Sequence, residues 1–141
     1  MVSVTTGSEN ETEALGEKIS SKLKGGEVLA LFGGMGMGKT AFTRGLAKGL
    51  GVGSGVSSPT FALMHEYRGR LTVYHFDMFR IETWDDLSST GFFDCIDAGG
   101  VTVIEWSENI ENALPAGSIK IRISRGQNDN LRVFEIEGMD I

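Results

Sequence analysis

An α/β fold with a mostly parallel central sheet is predicted, on three observations. The first is an unbroken apolar run of strand length, residues 28–32. The second is the glycine loop after it, Gly33-Gly34-Met35-Gly36-Met37-Gly38-Lys39-Thr40, which fills the phosphate-binding pattern G-x-x-x-x-G-K-[ST]. The third is the recurrence of Phe42, Leu46, Ala47 and Leu50 at helical spacing. Strand, glycine loop and helix is the order the motif requires. The expected architecture is therefore a P-loop NTPase-like three-layer sandwich, with antiparallel C-terminal strands.

The remaining elements follow in order. Residues 3–6 form a short β-branched strand candidate. Ser8, with Glu11 three residues on, reads as a capping box. The helix it opens carries Ala14, Leu15, Ile19 and Leu23 towards a core and ends at Gly25-Gly26. After the glycine loop and its helix, residues 49–58 are rich in glycine and serine and read as a mobile loop. Residues 61–67 and 71–77 are strand-like runs around Arg68-Gly69-Arg70, which predicts a hairpin. Thr83 caps a short helix through Leu87, broken near Gly91. Residues 101–104 are a buried-strand candidate, and Ser107 opens a short helix ending near Leu114-Pro115. Residues 119–123 and 131–136 alternate apolar with polar, as half-exposed strands at one side of a sheet do.

Length and composition narrow the function. A chain of 141 residues is one domain by length, 1–141, and 40% hydrophobic content can fill a core. A net charge of -6 argues against a direct grip on nucleic acid, DNA included. The one cysteine, Cys95, cannot make an internal disulfide, which suits a reducing compartment. No stretch reaches membrane-spanning length, and residues 1–10 lack the basic and apolar regions of a signal peptide. A soluble cytoplasmic protein without membrane contact is expected.

The glycine loop carries the first chemistry. Its backbone wraps an anion, with Gly34, Met35, Gly36, Met37, Gly38, Lys39, Thr40 and Ala41 as the nucleotide-binding residues. The helix start adds its positive dipole end. Lys39 reaches the β- and γ-phosphates, and the Thr40 hydroxyl binds Mg²⁺. Hydrolysis also needs carboxylates at the metal. Asp77 and Glu105 each end an apolar run, where a parallel sheet places its sites; the alternative for each is a solvated acid where strand meets loop. Ser58-Pro59-Thr60 is either a segment closing on a γ-phosphate or a loop entering a strand. His75 and His65 read as packed, hydrogen-bonded residues, and no His/Cys cluster has zinc spacing. Arg80 either pairs with an acid or faces a phosphate, and Trp106 is a core or pocket-wall aromatic. Arg68 and Arg70 read as solvated charges at a hairpin tip.

These residues resemble the TsaE family, formerly YjeE, P-loop ATPases of the tRNA threonylcarbamoyladenosine pathway. The resemblance runs from the helix around Thr12, Leu15 and Gly16 to Arg132. It is carried by the glycine loop, Ser58-Pro59-Thr60-Phe61 with Tyr67, Tyr74-His75-Phe76-Asp77 with Arg80, and Glu105-Trp106. It implies an ATPase that binds ATP and ADP and works with TsaB and TsaD to make N6-threonylcarbamoyladenosine. It would meet tRNA only through that complex. It implies Mg²⁺ held by Thr40 and Glu105, a switch at Ser58-Pro59-Thr60, and Lys39, Asp77 and Thr60 as the catalytic set. Asp77 is then either a general base or an organiser of the metal's water. The family loop reads Gly-Asp-Leu-Gly-Ala-Gly-Lys-Thr-Thr; here Gly34, Met35, Met37 and Ala41 stand at the differing positions, and Ala41 lacks a hydroxyl. Phe79 replaces a Tyr before Arg80. By position, Glu9 and Arg132 are the candidates for the adenine end.

Two other classes compete. A small-molecule kinase on the same core would need an acceptor pocket and an arginine-bearing lid, for which the chain leaves little length. A non-hydrolysing nucleotide-dependent partner module would need only the loop. A regulatory GTPase would carry N-K-x-D, and Asn128-Asp129-Asn130 lacks the lysine and the spacing.

Overall fold

The computed structural model describes residues 1–34, 36–53 and 64–140. The predicted contributions of Met35, of Ser58-Pro59-Thr60 and of residues 61–63 lie outside the described residues. One seven-stranded sheet organises the rest. In chain order its strands are β1 Val2–Thr6, β2 Val28–Phe32, β3 Met64–Tyr67, β4 Val73–Asp77, β5 Val101–Glu105, β6 Ile119–Arg125 and β7 Arg132–Glu137. In space they run β1-β7-β6-β2-β5-β4-β3. The pairs β6–β2, β2–β5 and β5–β4 are parallel, and the outer pairs are antiparallel. All five residues of both β2 and β5 are buried, as strands covered on two faces must be. The C-terminal strands alternate buried and exposed as expected, and β6 reaches further than predicted, to Arg125.

The alternation of side chains divides the core in two. Leu29, Leu31, Val73, Val101, Val103, Ile121 and Phe134 face the helices α1 Glu9–Ser20 and α2 Lys39–Gly49. Val28, Phe76 and Ile104 face the short helices α3 Trp84–Ser88 and α4 Phe92–Ile96, and the 3-10 turn Ser107–Ala113. The three-layer sandwich follows.

Local chemistry sets the boundaries. Ser8 caps α1 by accepting from the Glu11 amide at 3.1 Å. Glu11 does not close the expected box: its carboxylate takes the amide of Gly7, at 3.0 Å. The helix ends at Ser20, so Leu23 is buried from the turn beyond it, and Ala14 is exposed rather than part of the core. Thr83 does form a reciprocal box with Asp86. The expected break at Gly91 is the left-handed start of α4, a helix too short to show periodicity. Arg70 is not merely solvated: its guanidinium donates to the Ser20 carbonyl, at 3.3 Å.

Two glycines bring α1 and α2 together. A Cβ on Gly45 would sit 2.0 Å from the Glu13 carbonyl oxygen, and one on Gly16 would sit 2.4 Å from that of Phe42. Backbone therefore touches backbone at the crossing. That closeness holds the start of α1 beside the glycine loop.

Candidate functional site

Three parallel strands deliver the site at their C-terminal ends. β2 runs into the glycine loop, β4 ends at Asp77, and β5 ends at Glu105. Asp77 and Glu105 are direct partners across the β4–β5 ladder. A cavity of about 570 Å³ opens over these ends. Its floor is Gly36, Met37, Gly38, Lys39, Thr40 and Ala41, with Asp77 and Glu105 beside them. Glu9 and Arg132 line it too, so ten sequence-selected residues share one cavity. Gly34 is exposed and does not line it.

The floor has the features of an anion cradle. Gly36 and Gly38 have φ of 76° and 95°, values that disfavour any side chain. Gly38 is the N-cap of α2 and supplies no side-chain cap, and the first turn carries no acid. The first amides of α2 thus have no intrahelical acceptor and face the cavity with the positive end of the helix dipole. Lys39 is buried beside them. Its Nζ donates to the Gly33 carbonyl at 2.8 Å and lies 4.3 Å from the centre of the Trp106 ring. Burial pushes this ammonium below its ordinary 10.5, against the opposing pull of Glu105, Glu108 and Asp77.

The carboxylates differ in their surroundings. Burial raises the Asp77 carboxyl above its ordinary 3.8, more than the Phe79 amide lowers it through a 2.9 Å hydrogen bond; Glu105 adds to the rise. Glu105 is buried at 4% exposure and accepts from His75 Nε2 at 2.5 Å. Among the described residues no three His, Cys, Asp or Glu side chains gather as a metal cage. Thr40 and Glu105 instead offer oxygen donors at the cavity floor, with Asp77 beside Glu105. That sparse set suits Mg²⁺, which keeps most of its shell for water and phosphate.

Some contributors escaped the sequence reading. Thr12 and Arg44 line the cavity. Spacing held the signal: Thr12 lies one turn beyond the cap Ser8, and Arg44 one turn beyond Thr40. Glu108 accepts from the Gly33 amide at 3.0 Å, a contact across 75 residues that no local pattern shows. Arg132 donates to the Gly36 carbonyl at 3.1 Å, tying β7 to the loop. Of the two sequence readings for Trp106, core or pocket wall, it lines the pocket. It is also the one non-glycine residue with positive φ, 59°, among those described. Arg80 lines the cavity mouth and is exposed.

Residues 6–133 match the family model TsaE, described as threonylcarbamoyl adenosine biosynthesis protein TsaE. The tRNA threonylcarbamoyladenosine biosynthesis protein TsaE of Treponema pallidum is 39% identical over 116 residues, which cover 82% of this chain and 86% of that protein. Its namesake from Bacillus subtilis is 39% identical over 124 residues, 87% of this chain and 77% of the relative. The crystal structure of Bacillus subtilis YdiB superposes with a TM-score of 0.81 at 34% identity, covering 94% of this chain and 82% of that one.

Proposed function

The chain belongs to the TsaE family of threonylcarbamoyl adenosine biosynthesis proteins, and we propose that it serves that biosynthesis by binding and hydrolysing ATP with Mg²⁺. The observation that carries the reading is the meeting of Lys39, the uncapped start of α2, Asp77 and Glu105 in one cavity. The α2 amides and Lys39 hold the β- and γ-phosphates. Lys39 needs no large reorganisation, since its present acceptor is the Gly33 carbonyl of the same loop. Thr40 and Glu105 hold Mg²⁺, which when bound neutralises charge on the phosphate oxygens. Asp77 orients the attacking water, and the burial that raises its carboxyl above the ordinary 3.8 favours it as a proton acceptor. Glu9 and Arg132 belong to the nucleoside end. Catalysis by Thr60 and a switch at Ser58-Pro59-Thr60 rest on the family resemblance.

By the same resemblance, TsaB and TsaD are the partners, and tRNA is met through them in the cytoplasm. The net charge of -6 supports an indirect role towards RNA. The decisive experiment measures ATP affinity and turnover for the chain and for Lys39→Ala. Turnover should fall by at least about a hundred-fold, the cost of removing one preorganised electrostatic donor. Unchanged affinity and turnover would overturn the proposal.

A further inference from the structure

A polar chain, buried from Tyr67 inwards, leads from the edge of the sheet to Glu105. His75 is fully buried on β4, and its Nε2 lies 2.5 Å from Glu105 Oε2 on β5. Its Nδ1 lies 3.5 Å from the Tyr67 hydroxyl on β3, which is 3.0 Å from Nδ1 of His65. A carboxylate only accepts, so His75 must present its proton at Nε2. Its other nitrogen is then turned towards Tyr67. His75 sits opposite Val103 in the ladder, so it reaches Glu105 on the diagonal. The contact fixes one carboxylate oxygen and leaves the other to the cavity that Glu105 lines.

We infer that His75 is a positioning residue: its Nε2–H orients the Glu105 carboxylate for a divalent cation at the phosphate site, and Tyr67 fixes the ring. The inference rests on the nucleotide reading above. Hydrogen bonds of this kind hold ligating carboxylates in place, and their loss typically costs 10–100-fold in metal affinity. Any buried histidine needs hydrogen-bond partners; what singles out His75 is that one of them is the carboxylate that lines the cavity.

The test uses reach. In His75→Gln the amide nitrogen stands as many bonds from Cα as Nε2 does, and can still donate to Glu105. In His75→Asn it stands one bond short. Mn²⁺ binding is read by electron paramagnetic resonance with β,γ-methylene ATP present. Binding of that analogue in EDTA is measured separately, and thermal melting checks the fold. His75→Asn should bind Mn²⁺ about 10–100-fold more weakly with unchanged affinity for the analogue in EDTA, and His75→Gln should recover most of the loss. If the Asn variant does not fold, His75→Leu takes its place, filling the site without a donor. A Gln variant that folds but loses Mn²⁺, or a donor-lacking variant that keeps it, overturns the inference. Should the unsubstituted chain bind neither the analogue nor Mn²⁺, the nucleotide reading itself falls.

Discussion

The two faces of the sheet are built to different standards. The α1–α2 face gathers nineteen buried apolar residues among those described, and the opposite face eight. On the first, two helices of eleven and twelve residues cross with backbone in contact at Gly16 and Gly45. On the second, α3 and α4 have five residues each and leave Trp84 and Phe93 in solvent, stacked on one another with centroids 5.9 Å apart. The buried polar groups of the site follow the thicker face. His75 and Glu105 take the same alternation as Val73, Val101 and Val103. A buried ammonium and a buried carboxylate need partners held within a fraction of an ångström, and dense packing supplies that.

The strongest way to break this contrast is at the helix crossing. Gly45→Ala adds a methyl group where the Glu13 carbonyl oxygen stands 2.0 Å away. The obstacle is backbone, so α1 must move. Better helix propensity returns about 1 kcal/mol, while forced overpacking costs up to about 3 kcal/mol or more. A net loss of about 2 kcal/mol or more is expected by urea denaturation. ATP affinity should fall with it, because α1 carries Ser8, Glu9 and Thr12 to the cavity wall. Full stability in this variant would show that the crossing can relax.

The thin face should yield less. Thr83→Ala removes a cap whose hydroxyl accepts the Asp86 amide at 3.1 Å and should cost about 1 kcal/mol. Its effect on ATP affinity should be nil, since neither α3 nor α4 lines the nucleotide cavity. A loss of affinity matching that of Gly45→Ala would erase the functional distinction between the faces.

The same contrast governs what the sequence disclosed. β2 and α2 were legible because a fully buried parallel strand is apolar throughout and a helix of eleven residues is long enough to show its period. The glycine loop and the acids Asp77 and Glu105 were legible because strand ends mark sites in parallel sheets. The start of α4 was read as a break, because five residues hold barely one turn. The exposed Ala14 was misplaced because alanine fits either face of a helix. The bond between His75 and Glu105 was out of reach for another reason. It joins residues 30 apart through the β4–β5 register, which no single segment encodes. Glu108 at the Gly33 amide is the same case over a longer span.

The smallest effect expected is also the one that most sharpens the comparison, because it asks whether the site side of the sheet stores an electrostatic cost. Asp77 has its carboxyl raised in the folded chain, first by burial and then by Glu105. The unfolded chain releases that proton at about the ordinary 3.8, so between 3.8 and the raised value the folded state binds more protons. Stability from this group therefore falls as pH rises through that window, and the ionised carboxylate weighs against folding at pH 7. Asp77→Asn removes the charge and keeps an oxygen for the Phe79 amide. The variant should melt slightly higher than the parent at pH 7, within about 0.5 kcal/mol given the half-buried position. The gain should vanish at pH 3, where both chains carry a neutral group at position 77. Hydrolysis of ATP should fall at the same time, the usual exchange of activity for stability where a site holds a charge against its burial. A variant less stable at pH 7 than its parent would mean that Asp77 is held by favourable contacts strong enough to outweigh its burial.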